Sequence, residues 1–164
     1  MHSSSGGVFS ILAEQTIKQG GVVFGARFDE NWEVKHDYTE TIDGVSVFRG
    51  SKYVQSKTGD TFKQAEQFLK QNRKVLFSGT PCQIVALKRY LKKEYENLLL
   101  VDFICHGVPS PGVWRKYLKQ VIALTCDKNT VSSHLKLLLS ERNALVEGIS
   151  FRDKRLGWQK YSFS

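Results

Sequence analysis

Apolar positions along the chain change period several times, and each change marks an element. Residues 8–20 place Val8, Ile11 and Leu12 on one stripe ahead of Gly20-Gly21, which predicts a helix of about three turns. Residues 22–28 read as a strand. After the turn Asp29-Glu30-Asn31, Trp32, Val34, His36 and Tyr38 alternate as in a second strand with one half-buried face. His36 falls on that face, and no chemistry is assigned to it. Residues 44–48 fit either a strand or an irregular segment. Residues 61–72 predict a helix with Phe62, Ala65, Phe68 and Leu69 toward the core.

The clearest pattern is residues 74–110, KVLFSGTPCQIVALKRYLKKEYENLLLVDFICHGVPS. A short apolar run at 74–77 leads to Gly79, which permits a sharp turn. Thr80 suits an N-cap and Pro81 the first helical position, where a missing N–H costs nothing. Ile84, Val85, Leu87 and Leu91 follow as a stripe, with Lys88, Arg89, Lys92 and Lys93 off it and Asn97 at the end of the helix. Residues 98–104 are almost continuously apolar, as in a strand covered on both faces. The unit is βαβ, so its strands should be parallel with a right-handed crossover. Its two turns, 78–82 and 105–109, then share the carboxyl edge of the sheet, where open α/β sheets bind ligands.

Beyond it, Ser110 caps a helix opened by Pro111. Val113, Trp114, Tyr117, Leu118, Val121 and Ile122 exceed one stripe, so this helix should be well buried. Trp114 and Tyr117 read as core. Residues 127–148 read as a surface excursion, and 149–151 with 158–163 as paired strands around a turn at 153–157. The expected fold is a single α/β domain over residues 1–164. A mostly parallel central sheet is flanked by helices, with a hairpin near the C-terminus.

Composition narrows the class. The chain has 164 residues, 41% hydrophobic and 24% charged, which suits a globular domain. Its formal charge of +8 favours anionic partners such as dinucleotide phosphates or acidic electron carriers. The basic residues are dispersed and no nucleic-acid motif accompanies them, so nucleic acid is not expected. No apolar run reaches the length of a membrane span. Three cysteines without disulfide-framework spacing point to a reducing cytoplasm.

Candidate chemistry sits mainly at the two turns. Cys82 falls at the second position of its helix, where the positive dipole end stabilises a thiolate for redox or metal ligation. Cys105 follows the second strand, with His106 and Gly107 behind it. On neighbouring strands about 4.8 Å apart, the two thiols could reach one cluster, or they could be structural. Cys126 ends a helix running away from this edge. Upstream, Ser3 to Gly7 open a helix whose N–H groups form either a phosphate site or an ordinary serine cap. Gly50, Ser51, Lys52 and Tyr53 suit a nucleotide or flavin, or else form a surface turn. Arg152 to Arg155 is a charged turn, either a solvated tip or a contact for cofactor phosphates or an acidic ferredoxin.

SSSGGVF, GSKYVQS, GTPCQI, ICHGVPSP and FRDKRLGW occur in this order over most of the chain. Together they resemble the coenzyme F420 hydrogenase/dehydrogenase beta-subunit family. The resemblance implies a flavin and iron–sulfur protein that passes electrons between an iron–sulfur donor and a flavin-linked acceptor. It implies FAD near Ser4, Ser5, Gly6, Gly7, Gly50, Ser51, Lys52, Tyr53, Gly79, Thr80 and Pro81, and cluster ligation at Cys82 and Cys105. Family members usually carry further Cys-rich segments at both ends, and this sequence has neither. It is therefore expected to be a central part of a longer protein. A 4Fe–4S cluster takes four ligands, so a complete one is expected in the parent and not in this chain. A ferredoxin-like domain or protein is the implied electron partner; the oligomeric state is not indicated. The competing expectations are a non-redox nucleotide- or phosphate-binding domain with structural cysteines, and a basic adaptor surface.

Overall fold

Four short strands make the central layer. In the computed structural model, which describes residues 7–125, 151–153 and 157–159, β1 (Val22–Phe28) lies between β2 (Val34–Thr39) and β3 (Val75–Gly79). β4 (Leu98–Asp102) completes the order β2-β1-β3-β4. β1 pairs antiparallel with β2 and parallel with β3, and β3 pairs parallel with β4. The expected α/β class with a mostly parallel sheet is borne out.

Odd and even positions bury on opposite faces, as the pleat requires. Val22, Phe24, Val75 and Phe77 face α2 (Thr61–Lys70) and α3 (Pro81–Leu91), joining Ala65, Leu69, Ile84 and Leu87 in one core. Val23 and Leu76 face α1 (Val8–Lys18) and a 3-10 helix, Asp43–Phe48. Residues 44–48 are thus neither strand nor irregular. Val45 and Phe48, three apart, eclipse on the inner side of that helix, as 3-10 geometry dictates.

Several expectations need correction. α1 buries Ala13 and Thr16 with Phe9, Leu12 and Ile17 partly covered, whereas Val8 and Ile11 are 63% and 54% exposed. The helix offers two apolar stripes, and the sheet takes the one that includes Phe9 and Ala13. Trp32 is not in β2: it stands in the turn with φ 59. Asp29 Oδ1 organises that turn by accepting from the Asn31 and Glu33 amides. α3 stops at Leu91, with Lys92 left-handed after it. Asn97 instead donates through Nδ2 to the carbonyls of Leu69 and Arg73. β4 is not covered on both faces; Leu99 is 44% exposed and Ile104, past the strand's end, 85%. Among the described strands β4 is an edge, so one apolar run serves a half-covered strand and an open turn.

The chain divides into two compact units, residues 1–114 and 115–164. In the first, Trp114 is core as expected: it is buried, stacks on Phe28 and donates from Nε1 to the Trp32 carbonyl at 2.6 Å. Val113, in the first turn of α4 (Pro111–Thr125), is 58% exposed, so this start of the helix is less buried than expected. In the second unit, β5 (Phe151–Asp153) and β6 (Gly157–Gln159) pair antiparallel. The remainder of the expected C-terminal hairpin and the excursion at 127–148 lie outside the described residues.

Candidate functional site

The parallel register places both turns where the pattern puts them. Gly79 pairs with Asp102, and each cysteine follows its strand's paired residue by three positions. Cys82 and Cys105 therefore both leave the carboxyl edge of the sheet, and both are free and exposed. Cys126 lies outside the described residues. Among the described residues, no group of three histidine, cysteine or carboxylate side chains gathers as a metal site.

Gly79 closes β3 as a strand residue, so it is not the sharp turn expected of it. Its hydrogen side chain serves close approach: a Cβ there would stand 3.1 Å from Gln83 Oε1 and 3.3 Å from Gln83 Cβ. Thr80 is the N-cap of α3 and Pro81 its first residue, as expected. Gln83 Oε1 accepts from the Thr80 amide and from Thr80 Oγ1, both at 3.0 Å, which ties the turn to the helix.

From Gln83 the bonding runs into a residue that the sequence pattern left without a role. Gln83 Nε2 donates to Ser56 Oγ at 2.8 Å, and Ser56 Oγ lies 2.9 Å from His36 Nδ1. His36 Nε2 is 2.9 Å from the Ser78 carbonyl, which can only accept. Nε2 therefore carries the proton, Nδ1 accepts from Ser56, and the neutral ring has a defined tautomer. Since Thr80 Oγ1 already donates to Gln83, the Cys82 thiol at 3.1 Å donates to Thr80. His36 is 5% exposed and stacks on Phe77 at 5.4 Å with 9° between planes. Burial lowers its pKa below the usual 6.5, opposed by the bond to Ser78. The Thr-x-x-Gln spacing of Thr80 and Gln83 signals this capping locally; nothing in sequence links them to Ser56 or His36.

A Gln83→Ala variant should lose about 1 kcal/mol, as a missing helix cap does. It also leaves the Thr80 amide and Ser56 without these partners. Urea unfolding followed by circular dichroism would register it as a lower midpoint with an unchanged slope.

The segment 49–57 fastens the site together. Arg49 Nε donates to Ser10 Oγ in α1 at 3.2 Å, and its guanidinium pairs with Glu14 at 3.7 Å. The Gln55 amide donates to the Pro109 carbonyl at 3.2 Å, in the second turn. Ser56 meets Gln83 of α3, and Lys57 pairs with Glu33. Gly50 has φ 79 with nothing within 4 Å of a would-be Cβ, so the backbone there is open to a ligand. Tyr53 is 45% exposed, and Ser51 is exposed. Lys52 is otherwise engaged: Nζ donates to the carbonyls of Val47, Arg49 and Gly50 at 2.8–3.2 Å. Burial pushes its pKa down to about 8. Gly7 is the left-handed N-cap of α1 without a side-chain cap bond, while Ser4, Ser5 and Gly6 lie outside the described residues.

These features define an α/β protein whose carboxyl edge gathers two exposed thiols, a capped helix start and a bridging loop. Residues 72–133 match the family described as the carboxyl terminus of the coenzyme F420 hydrogenase/dehydrogenase beta subunit. This bears out, over that stretch of the chain, the resemblance read from the motifs. No curated protein matches the chain. A chain of the xenon-derivatized F420-reducing NiFe hydrogenase complex from Methanosarcina barkeri shares the fold with a TM-score of 0.54. The two are 17% identical, and the match covers 79% of this chain and 46% of that one. This chain thus spans less than half the length of that neighbour.

Proposed function

We propose that this chain is an electron-transfer module that holds FAD at the carboxyl edge and relays electrons between it and an iron–sulfur centre. The observation that carries this reading is segment 49–57. It is bonded to the first turn of α1 through Ser10, to the first turn of α3 through Gln83 and to the second turn through Pro109. Three family-like motifs are thereby bonded into one edge, and the bond from Arg49 to Ser10 joins residues next to GSKYVQS and SSSGGVF. The residues present fit a flavin in part. The start of α1, beside Gly7, offers backbone donors for phosphate, whereas at the start of α3 the Thr80 amide is held by Gln83 and Pro81 has none, so Thr80 and Pro81 contribute shape. Gly50 and Ser51 leave open backbone, and Tyr53 offers an exposed ring. Lys52 supports the loop by holding three carbonyls, so its contribution to a bound anion is through backbone shape. Ser4, Ser5 and Gly6 are proposed to extend the phosphate site.

FAD, when bound, supplies the exchange between one- and two-electron steps. This chain's residues position and shield it. Cys82 and Cys105 are suited to give two of the thiolates of a 4Fe–4S cluster, the remaining ligands coming from the rest of the parent protein. The implied setting is the cytoplasm, where exposed thiols stay reduced. Among the described residues no helix is long and apolar enough to cross a membrane.

Titrating the purified chain with FAD, followed by flavin fluorescence, tests the reading. Binding that excess ATP does not displace is expected, and Gly50→Val should weaken it about tenfold by straining a left-handed position. ATP binding without FAD binding would favour a non-redox nucleotide domain instead.

A further inference from the structure

We propose that the outer face of α3 is a docking surface for an acidic protein, seated so that its partner reaches toward Cys82. This rests on the electron-transfer reading and names the surface through which the partner is met. Lys88, Arg89, Lys92 and Lys93 are all exposed in the last turn of α3 and just beyond it. Among the described residues none of the four makes an ion pair. Several cations elsewhere in this domain are matched: Arg27 with Asp37, Arg49 with Glu14, Lys70 with Glu66, Arg73 with Glu40.

The helix dipole favours Lys88 and Arg89 near the carboxyl end, but Lys92 and Lys93 lie past it. Four like charges within six residues repel one another, and an anionic partner relieves that repulsion. Val85, 49% exposed, lies one turn before Lys88 and Arg89 on the same side of the helix, and Tyr90, 43% exposed, flanks the face with its ring against Phe62. An arginine with an exposed aromatic and an aliphatic is the composition of a protein interface. A phosphate backbone would gain little from the aliphatic.

Position links the surface to the site. Cys82, Ala86 and Arg89 follow at helical spacing on one stripe, and all three are exposed. Arg89 is about 10 Å along the axis from Cys82. A partner resting on the cations therefore extends over the thiol end of the helix. A small acidic iron–sulfur protein fits that description, with its carboxylates on the cations and its cluster near the turn.

The test uses the full chain and, as probe, a small acidic ferredoxin carrying two 4Fe–4S clusters. Binding is measured by interferometry at low salt, about 50 mM, and at about 300 mM. A variant carrying Lys88→Glu, Arg89→Glu and Lys92→Glu is expected to bind at least about tenfold more weakly, and added salt should weaken the unmodified chain in the same direction. A control with Lys18→Glu, Lys63→Glu and Lys70→Glu carries the same charge change and should stay within about twofold, with far-UV spectra confirming that both variants fold. Equal losses in the two variants, unchanged binding in the α3 variant, or no binding by the unmodified chain at low salt would overturn the proposal. So would an α3 variant that loses binding only to a single-stranded oligonucleotide. FAD titration of the same samples separates the two readings. FAD binding with ferredoxin docking unchanged in the α3 variant removes the interface alone. Docking that depends on α3 in a chain that takes no FAD removes the flavin reading and leaves the interface.

Discussion

Phe77→Ala should destabilise the protein by about 3–5 kcal/mol, the usual cost of truncating a fully buried aromatic ring. Phe77 has no exposed surface and sits on a central strand of the sheet. Its ring stacks on Phe24 at 5.4 Å, meets Phe62 at 5.8 Å and forms the floor beneath His36 at 5.4 Å. The void would open between strand and helices, where backbone pairing limits collapse. Such a loss is a large share of ordinary domain stability, so much of the variant should be unfolded near physiological temperature. Urea titration would detect it; a loss below about 1 kcal/mol would mean that the site refills and the stack is not a rigid floor.

His36→Leu should cost about 1–3 kcal/mol near neutral pH, because it takes the ring N–H from the Ser78 carbonyl and leaves the Ser56 hydroxyl, still bonded to Gln83, without the ring nitrogen it donates to. It should also change how stability depends on pH. The folded ring has a lowered pKa, while in the unfolded chain it titrates near 6.5. Between those values the unfolded chain binds more protons, so stability rises with pH. The contribution of the neutral ring is present above about 6.5 and is lost as pH falls from there toward the folded value. Parallel unfolding curves from about pH 7.5 to about pH 5 should show a slope in the unmodified protein that the leucine variant lacks. An identical slope in both would place the acid sensitivity elsewhere. Because His36 and Phe77 touch, their joint variant should lose less than the two losses added together.

The parts of this molecule that were legible in sequence are those decided locally. The parallel pairing of β3 with β4 followed from an apolar run, a helix of one turn-and-cap pattern and a second run. Thr80 and Pro81 announce the start of α3 by their own chemistry, and Trp114 reads as core because the apolar residues of its helix exceed one stripe. What depended on neighbours was not legible. Val8 and Ile11 form as good a stripe as Phe9 and Ala13, and only the sheet decides between them. Residues 98–104 read as doubly covered because an apolar run does not state how many strands flank it. Lys52 reads as a contact for a nucleotide or flavin until three carbonyls are found around it. His36, Ser56 and Gln83 come from three segments, and their meeting depends on β2 and the 49–57 loop both reaching the carboxyl edge.

The same arrangement imposes an order on folding. β1 with β2, and β3 with α3 and β4, each assemble from residues close in sequence. The β1–β3 seam joins Val22 to Val75, partners about 50 residues apart, and only this long closure brings the two halves into one sheet. His36 comes from one half, Ser78 and Gln83 from the other, and Ser56 from the connection between them. Their hydrogen-bonded chain therefore cannot exist before the seam closes, and a half-assembled chain has its cysteine turn without its brace.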